Sequence, residues 1–222
     1  QGPGGPKAFG AYQTTLKFND MNYDRCWRTG NKADVIVYFD EFDFKMVWWH
    51  CVAYYPIYYS GNGIGLTHEV CETRTTLGCA EALMDKECRY AYVQVLENTD
   101  ARVVVKFRSA ASDRRYFIAH EDANQSGWGC WADEILTIYP DGTMPRQVTV
   151  WCSKQDHWHE FEQENYFFNP GQTPWNVVEN ERNTIANLKA EVSDLKWVNN
   201  WPTGKFIDNA VIKTYNYKDS DS

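Results

Sequence analysis

Apolar and polar residues alternate along most of the chain, which is typical of β-strands that turn one face to a core. The clearest alternation, in residues 101–108, puts three cations on one face and three apolar side chains on the other. The cations are Arg102, Lys106 and Arg108, and the apolar residues are Val103, Val105 and Phe107. Turn signals such as Pro140-Asp141-Gly142 separate segments of this kind. The pattern predicts an all-β fold, an antiparallel β-sandwich or jelly roll.

The predicted elements are short strands and one short helix. The strands are expected at 34–39, 45–59, 89–96, 101–108, 115–120, 134–139, 146–152, 157–168 and 211–217. Residues 45–59 form either one long strand or a pair bent at Pro56. Residues 181–195 have helical spacing instead. Their apolar residues at three- and four-residue steps are Ile185, Leu188, Val192 and Leu195.

The two ends of the chain differ in composition from its middle. Residues 1–10 are rich in Gly and Pro, which disfavour helices and inner strands, so they predict a flexible arm. Residues 218–222 are polar and predict a tail. A chain of 222 residues fits one large sandwich, so residues 11–217 are expected to form a single domain.

The chain is acidic, with 30 Asp and Glu against 22 Lys and Arg and a formal net charge of −8. This balance argues against nucleic acid, whose phosphates attract basic surfaces, and against anionic membrane surfaces. An anionic polysaccharide stays open as a partner, because a local basic face can lie on an acidic protein. No segment reaches the roughly 20 continuous apolar residues of a membrane span. The chain begins at Gln1, as a trimmed secreted chain or a fragment would.

Seven cysteines are dispersed along the chain, and none is spaced C-x-x-C as in zinc ribbons. They are Cys26, Cys51, Cys71, Cys79, Cys88, Cys130 and Cys152. Dispersed cysteines in an acidic chain rich in Trp and Tyr favour disulfides in an oxidising compartment, with all seven as candidates. Because seven is odd, at least one thiol is left over or bonds to another chain. Asn124-Gln125-Ser126 is an N-glycosylation acceptor in a predicted surface loop, which agrees with an extracellular glycoprotein.

The hairpin of residues 89–96 and 101–108 carries the main chemical hypothesis. A three-residue loop places two tyrosines beside the cations, whereas a two- or four-residue loop buries both tyrosines. The pairs expected from the three-residue loop are Tyr92 with Lys106 and Tyr90 with Arg108. A polysaccharide lyase needs such a set, because a cation must neutralise the uronate carboxylate before a base removes the α proton. The candidate bases are Tyr90, Tyr92 and His68, and the candidate cations are Arg102, Lys106 and Arg108. The alternative is that the cations form an ordinary solvated face.

Other polar side chains are further candidates. His68 follows a Gly-rich turn and His120 ends a predicted strand, so either could act as a base, although such histidines are more often surface or capping residues. His157 and His159 project from one strand face, but no third ligand is visible, so the sequence predicts no metal and no cofactor. The opposite face of that strand resembles the acid and nucleophile arrangement of jelly-roll glycoside hydrolases, although such residues are more often solvent-facing. Its members are Glu160, Glu162 and Glu164.

Ten tryptophans and fourteen tyrosines exceed what one core needs. Exposed aromatic rings stack on sugar rings or fill protein interfaces. Trp128, Trp131 and Trp158 are the predicted glycan-stacking residues. The chain has no G-x-G-x-x-G, Walker A, G-x-S-x-G or H-E-x-x-H sequence, which excludes the nucleotide-binding, α/β-hydrolase and zincin readings.

Four blocks between Gly61 and about Asn187 stand out together. They are Gly78-Cys79-Ala80-Glu81, Asp85-Lys86-Glu87-Cys88-Arg89-Tyr90, the run ENTDARVVV at 97–105, and Ile138-Tyr139-Pro140-Asp141-Gly142. They resemble blocks in large secreted bacterial proteins that are built on β-sandwich domains and are often encoded among polysaccharide-degrading genes. The resemblance covers roughly half the chain. It implies a β-sandwich in a glycan setting and assigns no catalytic residues. The cysteines that this group lacks are Cys51, Cys71, Cys130 and Cys152.

The sequence therefore predicts a secreted, glycan-active β-sandwich protein. It is either a polysaccharide lyase acting on an anionic polysaccharide or a non-catalytic glycan-binding module, so enzymatic activity stays open. The alternative is an extracellular structural subunit that self-assembles into a fibre or surface layer through its N-terminal arm and sheet edges. The expected partners are a polysaccharide or glycan and, in the alternative, further copies of this chain.

Overall fold

The computed structural model describes residues 7–16, 32–61, 65–67, 71–124, 126–153, 157–160, 177–198 and 201–218. These residues are mostly antiparallel strands, which confirms the all-β prediction. Two short 3-10 helices, His50–Val52 and Ala82–Met84, lie between strands. The chain divides into two compact units, residues 1–164 and 165–222, where the sequence predicted one domain over residues 11–217.

The larger unit contains three antiparallel sheets. The five-stranded sheet runs in chain order through β1 (Gly10–Thr14), β2 (Asp34–Tyr38), β3 (Lys45–Trp48), β4 (Pro56–Tyr59) and β5 (Gly65–Thr67). A small sheet contains β6 (Glu72–Thr75), β7 (Gly78–Glu81) and β12 (Trp158–Glu160), with β6 in the middle. The four-stranded sheet contains β8 (Tyr92–Asn98), β9 (Val103–Ala110), β10 (Trp131–Ile138) and β11 (Arg146–Trp151), again in chain order.

The five-stranded and four-stranded sheets share one apolar core, as the two layers of a sandwich do. The five-stranded sheet contributes buried residues that include Val37, Met46 and Trp48. The four-stranded sheet contributes the alternate residues predicted from its sequence, Val103, Val105 and Phe107, together with Leu136 and Ile138. A second, smaller cluster of buried cysteines and alanines lies apart from this core. Its members are Cys71, Ala80, Ala111, Ala119, Cys130 and Ala132.

The last two residues of the segment 1–10, which the sequence assigns to a flexible arm, belong to the fold. Phe9 is only 4% exposed and packs in the core, and Gly10 begins β1. The backbone N–H of Phe9 donates to the Asp40 carboxylate at 2.8 Å. The sandwich therefore includes residues that the sequence assigned to the arm, while residues 1–6 lie outside the described residues.

The outer edge of β1 is occupied by a side chain of the other sheet. The backbone N–H of Ala11 donates to Asn98 Oδ1 at 2.9 Å, and Asn98 Nδ2 donates back to the Ala11 carbonyl at 2.9 Å. A carboxamide can make this pair because it carries the same donor and acceptor as a peptide group. Asn98 thus satisfies the backbone groups of Ala11 on an edge strand, groups that would otherwise be open to pairing with another chain.

Asn98→Ala is expected to lower the free energy of unfolding by about 1–3 kcal/mol, because the N–H and C=O of the buried Ala11 lose their partner. Urea denaturation measures the change. Asn124→Ala, at an exposed loop asparagine, is the control and should change stability by less than about 0.5 kcal/mol. A loss in Asn98→Ala that is no larger than in Asn124→Ala would contradict this role.

Two sequence predictions about single elements are wrong. Residues 115–120 do not form a strand, because the buried Asp113 carboxylate accepts from the backbone N–H groups of Arg115 and Phe117 at 2.8 and 3.3 Å and turns the chain. Residues 181–195 are not a helix. They belong to a hairpin of the smaller unit, whose sheet is described next.

The described residues of the smaller unit form a four-stranded sheet in the order β15-β14-β13-β16. Its strands are β13 (Val178–Asn187), β14 (Val192–Val198), β15 (Trp201–Thr203) and β16 (Ala210–Tyr217). Asn187 ends β13 because its side-chain oxygen accepts from the backbone N–H groups of Lys189 and Glu191 at 3.0 and 3.1 Å. Leu188 lies in that turn and is 89% exposed, so it does not share a buried face with Ile185 and Leu195 as the predicted helix required.

Candidate glycan-binding face

The register between β8 and β9 decides whether a tyrosine lies beside the cations. The loop has four residues, Thr99 to Arg102, which by itself would bury Tyr92. A bulge between Val95 and Glu97 adds one residue to β8 and reverses this effect, because it moves every earlier side chain to the other face. Tyr92 therefore lies opposite Arg108 rather than Lys106, and it is 56% exposed.

The side of the four-stranded sheet that points away from the core carries aromatic rings among polar groups. Tyr92 pairs with Arg108, Arg108 pairs with Asp133, and Trp131 pairs with Trp151. Since residues two apart on a strand share a face, these five side chains lie on one surface. Trp151 is 55% exposed, and Trp131 is partly buried. We call this surface the tryptophan face and define it by Tyr92, Arg108, Trp131, Asp133 and Trp151.

Asp133 organises the charges of the tryptophan face. Its carboxylate lies 3.0 Å from the Arg108 guanidinium and 3.5 Å from the Lys106 ammonium, and it accepts from Trp151 Nε1 at 3.4 Å. Lys106, which borders the tryptophan face, and Arg108 thus share one carboxylate, so these three side chains together carry a net positive charge. The Arg108 guanidinium carbon also lies 4.9 Å from the centroid of a Trp131 ring, within cation–π range.

The ring of Trp131 is held in place by a hydrogen bond and by a second aromatic ring. Its Nε1 donates to the Gly127 carbonyl at 2.9 Å, and the Tyr90 ring meets it edge to face at 6.0 Å between centroids. Tyr90 is fixed in turn, because its hydroxyl donates to the Tyr116 carbonyl at 2.8 Å. Burial raises the pKa of the Tyr90 phenol. Tyr90 is therefore a support for Trp131 and is not placed as a base.

The segment before β8 depends on a buried carboxylate. Asp85 accepts from the backbone N–H groups of Arg89, Tyr90 and Ala91 at 2.9, 2.7 and 3.2 Å. These bonds replace strand pairing for residues 89–91 and fix the position of the Tyr90 backbone. They explain why β8 starts at Tyr92 and not at Arg89, as the sequence predicted.

The remaining predicted site residues lie elsewhere. Arg102 lies in the β8–β9 loop and pairs with Glu97 at 2.9 Å, so it does not join Lys106 and Arg108. The hydrogen bond from Arg102 lowers the pKa of the Glu97 carboxyl. Trp128 is 68% exposed in the loop before β10. The backbone of Trp158 lies in β12, whereas its side chain, like that of His159, lies outside the described residues, as does the whole of His68.

Asn124 is exposed in the loop between Glu121 and Trp128, as a glycosylation acceptor must be. The loop is closed by Asp122, whose carboxylate accepts from the backbone N–H and the hydroxyl of Ser126 at 2.9 and 2.6 Å. Those hydrogen bonds lower the pKa of Asp122.

Cys130 and Cys152 form a disulfide, with their Cα atoms 4.4 Å apart. They flank the tryptophan face, since Cys130 precedes Trp131 and Cys152 follows Trp151. The other described cysteines are thiols: Cys51, Cys71, Cys79 and Cys88. Burial raises the pKa of the Cys88 thiol to about 12, and its Sγ donates to the His50 carbonyl. Cys26 lies outside the described residues.

Sequence reasoning missed Trp151 and Asp133 as members of the site. Alternation within β11 places Trp151 on the outer face, and that signal was present in residues 146–152. The pairing of Trp131 with Trp151 could not be predicted from the sequence, because strand register depends on the loop 139–145 and not on either strand alone.

Comparison with known proteins gives no match: no family model, curated protein or solved structure is significantly similar to this chain. In the part of the chain that the structure describes, no helix has the length and apolar character to cross a membrane.

Proposed function

We propose that this chain is a secreted glycan-binding β-sandwich protein and that the tryptophan face is its binding surface. The observation that carries the proposal is the pairing of Trp131 with Trp151 beside Asp133 and Arg108 on an outward sheet face. Aromatic rings give sugars flat apolar platforms, and carboxylate and guanidinium groups supply the acceptors and donors that sugar hydroxyls need.

The charge on this face favours a glycan that carries some negative groups. Lys106 and Arg108 outnumber Asp133, so a carboxylate or sulfate on the polymer would meet a net positive surface. The overall charge of −8 opposes non-specific capture of polyanions, which restricts the attraction to this face. A linear polysaccharide lies along such a sheet face without the need for a deep pocket.

The test is a glycan array followed by calorimetric titration of the best ligand. Trp151→Ala is expected to weaken binding by about 10-fold, which corresponds to about 1.4 kcal/mol. Trp128→Ala is the matched control, because Trp128 is exposed even more than Trp151 but lies in a loop outside the tryptophan face. Binding that survives in Trp151→Ala and is lost in Trp128→Ala would place the site elsewhere, and no binding to any glycan would remove the proposal.

A lyase is the second candidate, favoured by the position of Tyr92 opposite Arg108. Tyr92 also borders a cleft of about 330 Å³ that is lined by Gln13, Lys32 and Tyr54. A phenol beside a cation is the arrangement that proton abstraction next to a neutralised carboxylate needs. The test incubates the protein with anionic polysaccharides and follows the ultraviolet absorbance of the unsaturated uronate that a lyase produces. An absorbance that rises with the wild type and stays constant with Tyr92→Phe and Arg108→Ala would establish lyase activity.

The structural-subunit alternative depended on the arm and on open sheet edges. Addition of a strand at β1 would have to displace both hydrogen bonds between Asn98 and Ala11. Phe9 would also have to keep its place in the core. Light scattering of the full chain tests this alternative. A structural subunit requires a large regular assembly, whereas the glycan-binding proposal requires none.

A further inference from the structure

Four side chains with metal-binding atoms meet beside the small cysteine and alanine cluster of the larger unit. One ligand atom from each of His120, Cys130 and His157 lies within 4.8 Å of the others. Cys152 joins them, because its Sγ is bonded to Cys130 and lies 3.7 Å from His157 Nδ1. The two imidazole rings stack with their centroids 3.7 Å apart. His120 and Cys130 lie in the connection between β9 and β10, and Cys152 and His157 lie in the connection between β11 and β12, so the fold brings the two pairs together.

The backbone around His120 is shaped to bring it to Cys130. His120 has a φ of +53°, in the left-handed region that non-glycine residues enter at a cost of about 1 kcal/mol or more. The backbone N–H of Cys130 donates to the Ala119 carbonyl at 2.9 Å. A Cβ on Gly129 would lie 2.6 Å from that same carbonyl, so this close approach requires glycine. Strain of this kind clusters at functional sites.

Thr73 links the two histidines from the middle of the small sheet. It is buried, and its hydroxyl donates to the His157 carbonyl. His120 Nε2 lies 3.2 Å from the same oxygen, which can accept a hydrogen bond from a protonated Nε2. With Nε2 protonated, the lone pair of His120 is on Nδ1. Metal-binding histidines are oriented in this way by a hydrogen bond at the other ring nitrogen.

We propose that the reduced chain binds one Zn²⁺ through the sulfurs of Cys130 and Cys152 and one ring nitrogen each of His120 and His157. Two thiolates and two imidazoles are a complete tetrahedral set for zinc. Bonds of about 2.0–2.3 Å place such ligand atoms roughly 3.3–3.8 Å apart. Cys152 Sγ already lies 3.7 Å from His157 Nδ1, whereas the two sulfurs must separate on reduction and the stacked imidazoles must turn toward the ion. Since protein atoms fill all four positions, the site is structural and joins the ends of β10 and β11 to the small sheet.

The disulfide and the zinc site are two states of the same sulfurs. Two equivalents of an external thiol reduce the Cys130–Cys152 bond by exchange: the S–S bond breaks, both sulfurs gain one electron and one proton, and the reductant leaves as its own disulfide. Zn²⁺ then replaces the two thiol protons, which are released to solvent. A small-molecule disulfide reverses the order by exchange: it takes two electrons from the two thiolates and leaves as two thiols, and the metal is expelled because the disulfide sulfurs no longer donate as thiolates. His120 also lines an open cleft of about 710 Å³, which gives the ion a path to the site.

A second cluster, Glu72, Cys79 and Glu81, is the internal competitor for metal. Cys79 Sγ lies 2.8 Å from Glu72 Oε1 and 3.6 Å from Glu81 Oε2. Burial and the hydrogen bond to Glu72 raise the pKa of the Cys79 thiol well above its ordinary value, so this thiol resists the deprotonation that zinc binding needs. The Cys79→Ala variant therefore serves as a matched control.

The full chain is reduced with a phosphine, given zinc, freed of excess metal and analysed for zinc by mass spectrometry. One zinc ion per chain is expected in the wild type and in Cys79→Ala, with most of it lost in Cys152→Ser and His157→Gln. Thr73→Val is expected to bind zinc about 10- to 100-fold more weakly, since it removes only the positioning hydroxyl.

Cobalt(II) replaces zinc in a second measurement on the unaltered chain, which avoids variants that fail to fold. The expected spectrum has the visible bands of tetrahedral cobalt and a thiolate-to-cobalt charge-transfer band, both of which disappear on oxidation to the disulfide. The proposal is overturned if the reduced chain binds no zinc and gives no charge-transfer band. It is equally overturned if Cys79→Ala loses the metal and Cys152→Ser keeps it.

Discussion

Arg146→Met is expected to lower the free energy of unfolding by about 3–5 kcal/mol at neutral pH, because it leaves a buried carboxylate without its counter-charge. Glu134 is almost fully buried on the core side of β10, and Arg146 Nε donates to its Oε2 at 3.0 Å. The second guanidinium nitrogen, Nη2, also donates to Oε2. Burial raises the pKa of Glu134, and Arg146 opposes that rise. Removal of Arg146 leaves only the effect of burial.

The destabilisation should shrink as the solution is acidified. A carboxyl whose pKa is raised in the folded protein binds a proton there before the unfolded chain does. Stability therefore increases as the pH falls from the raised pKa of folded Glu134 toward the ordinary carboxyl value. In Arg146→Met this window is wider than in the wild type, because the lowering effect of the guanidinium is gone. Urea denaturation at several pH values measures the difference between the two proteins.

Glu134→Leu combined with Arg146→Met is the control for the charge itself. Replacement of both partners by apolar side chains removes the unpaired carboxylate, so the double variant should recover most of the loss. A double variant as unstable as Arg146→Met would show that packing, and not charge, causes the effect. A pH-independent loss in Arg146→Met would contradict the role of Glu134.

Asp34→Ala is expected to destabilise the larger unit by about 3–5 kcal/mol, since it leaves several buried donors without an acceptor. The Asp34 carboxylate is fully buried at the start of β2. It accepts from the backbone N–H and from Nδ1 of His50 at 2.8 and 2.6 Å, and from the backbone N–H of Leu16 at 2.7 Å. His50 is itself buried, so water cannot replace the lost acceptor without opening the sandwich.

Asp34→Asn separates the hydrogen bonds from the charge. One carbonyl oxygen remains to accept, so this variant should lose clearly less stability than Asp34→Ala. Asp100→Ala, in the exposed β8–β9 loop, is the surface control and should change stability by less than about 0.5 kcal/mol. Equal losses in Asp34→Ala and Asp100→Ala, measured by urea denaturation, would exclude a structural role for the Asp34 carboxylate.

The candidate site illustrates how far local patterns reach. Alternation in β9 correctly placed Lys106 and Arg108 opposite the core residues, because side-chain direction in a strand is a local property. From the sequence, the face of Tyr92 is expected to depend on the loop length alone. In the structure a bulge after Val95 also determines that face, and no pattern in the sequence predicts the bulge. A bulge depends on the neighbouring strands, so it could not be predicted from β8 alone.

The failed helix prediction has a similar cause. Spacing of apolar residues at three and four positions in residues 181–195 is compatible with a helix and also with two strands joined by a turn. The side chain of Asn187 caps the turn, and Ala190 adopts a φ of +61° within it. Ile185 and Leu195 are buried, whereas Leu188 points to solvent. Packing against β16 and β15 decided between the two structures, and that contact lies outside the local window.

The sequence by itself determined the all-β class, the core-facing residues of β9 and turns such as Pro140-Asp141-Gly142, because each depends on neighbours within a few positions. Glu134 was not predicted from the sequence as a buried charge, and only the structure shows that it shares its strand face with the buried Leu136 and Ile138. Only the tertiary structure decided that Trp131 lies beside Trp151 and that His120, Cys130, Cys152 and His157 converge. These contacts depend on strand register and on how separate connections pack, and both involve residues far apart in the sequence that local patterns cannot predict.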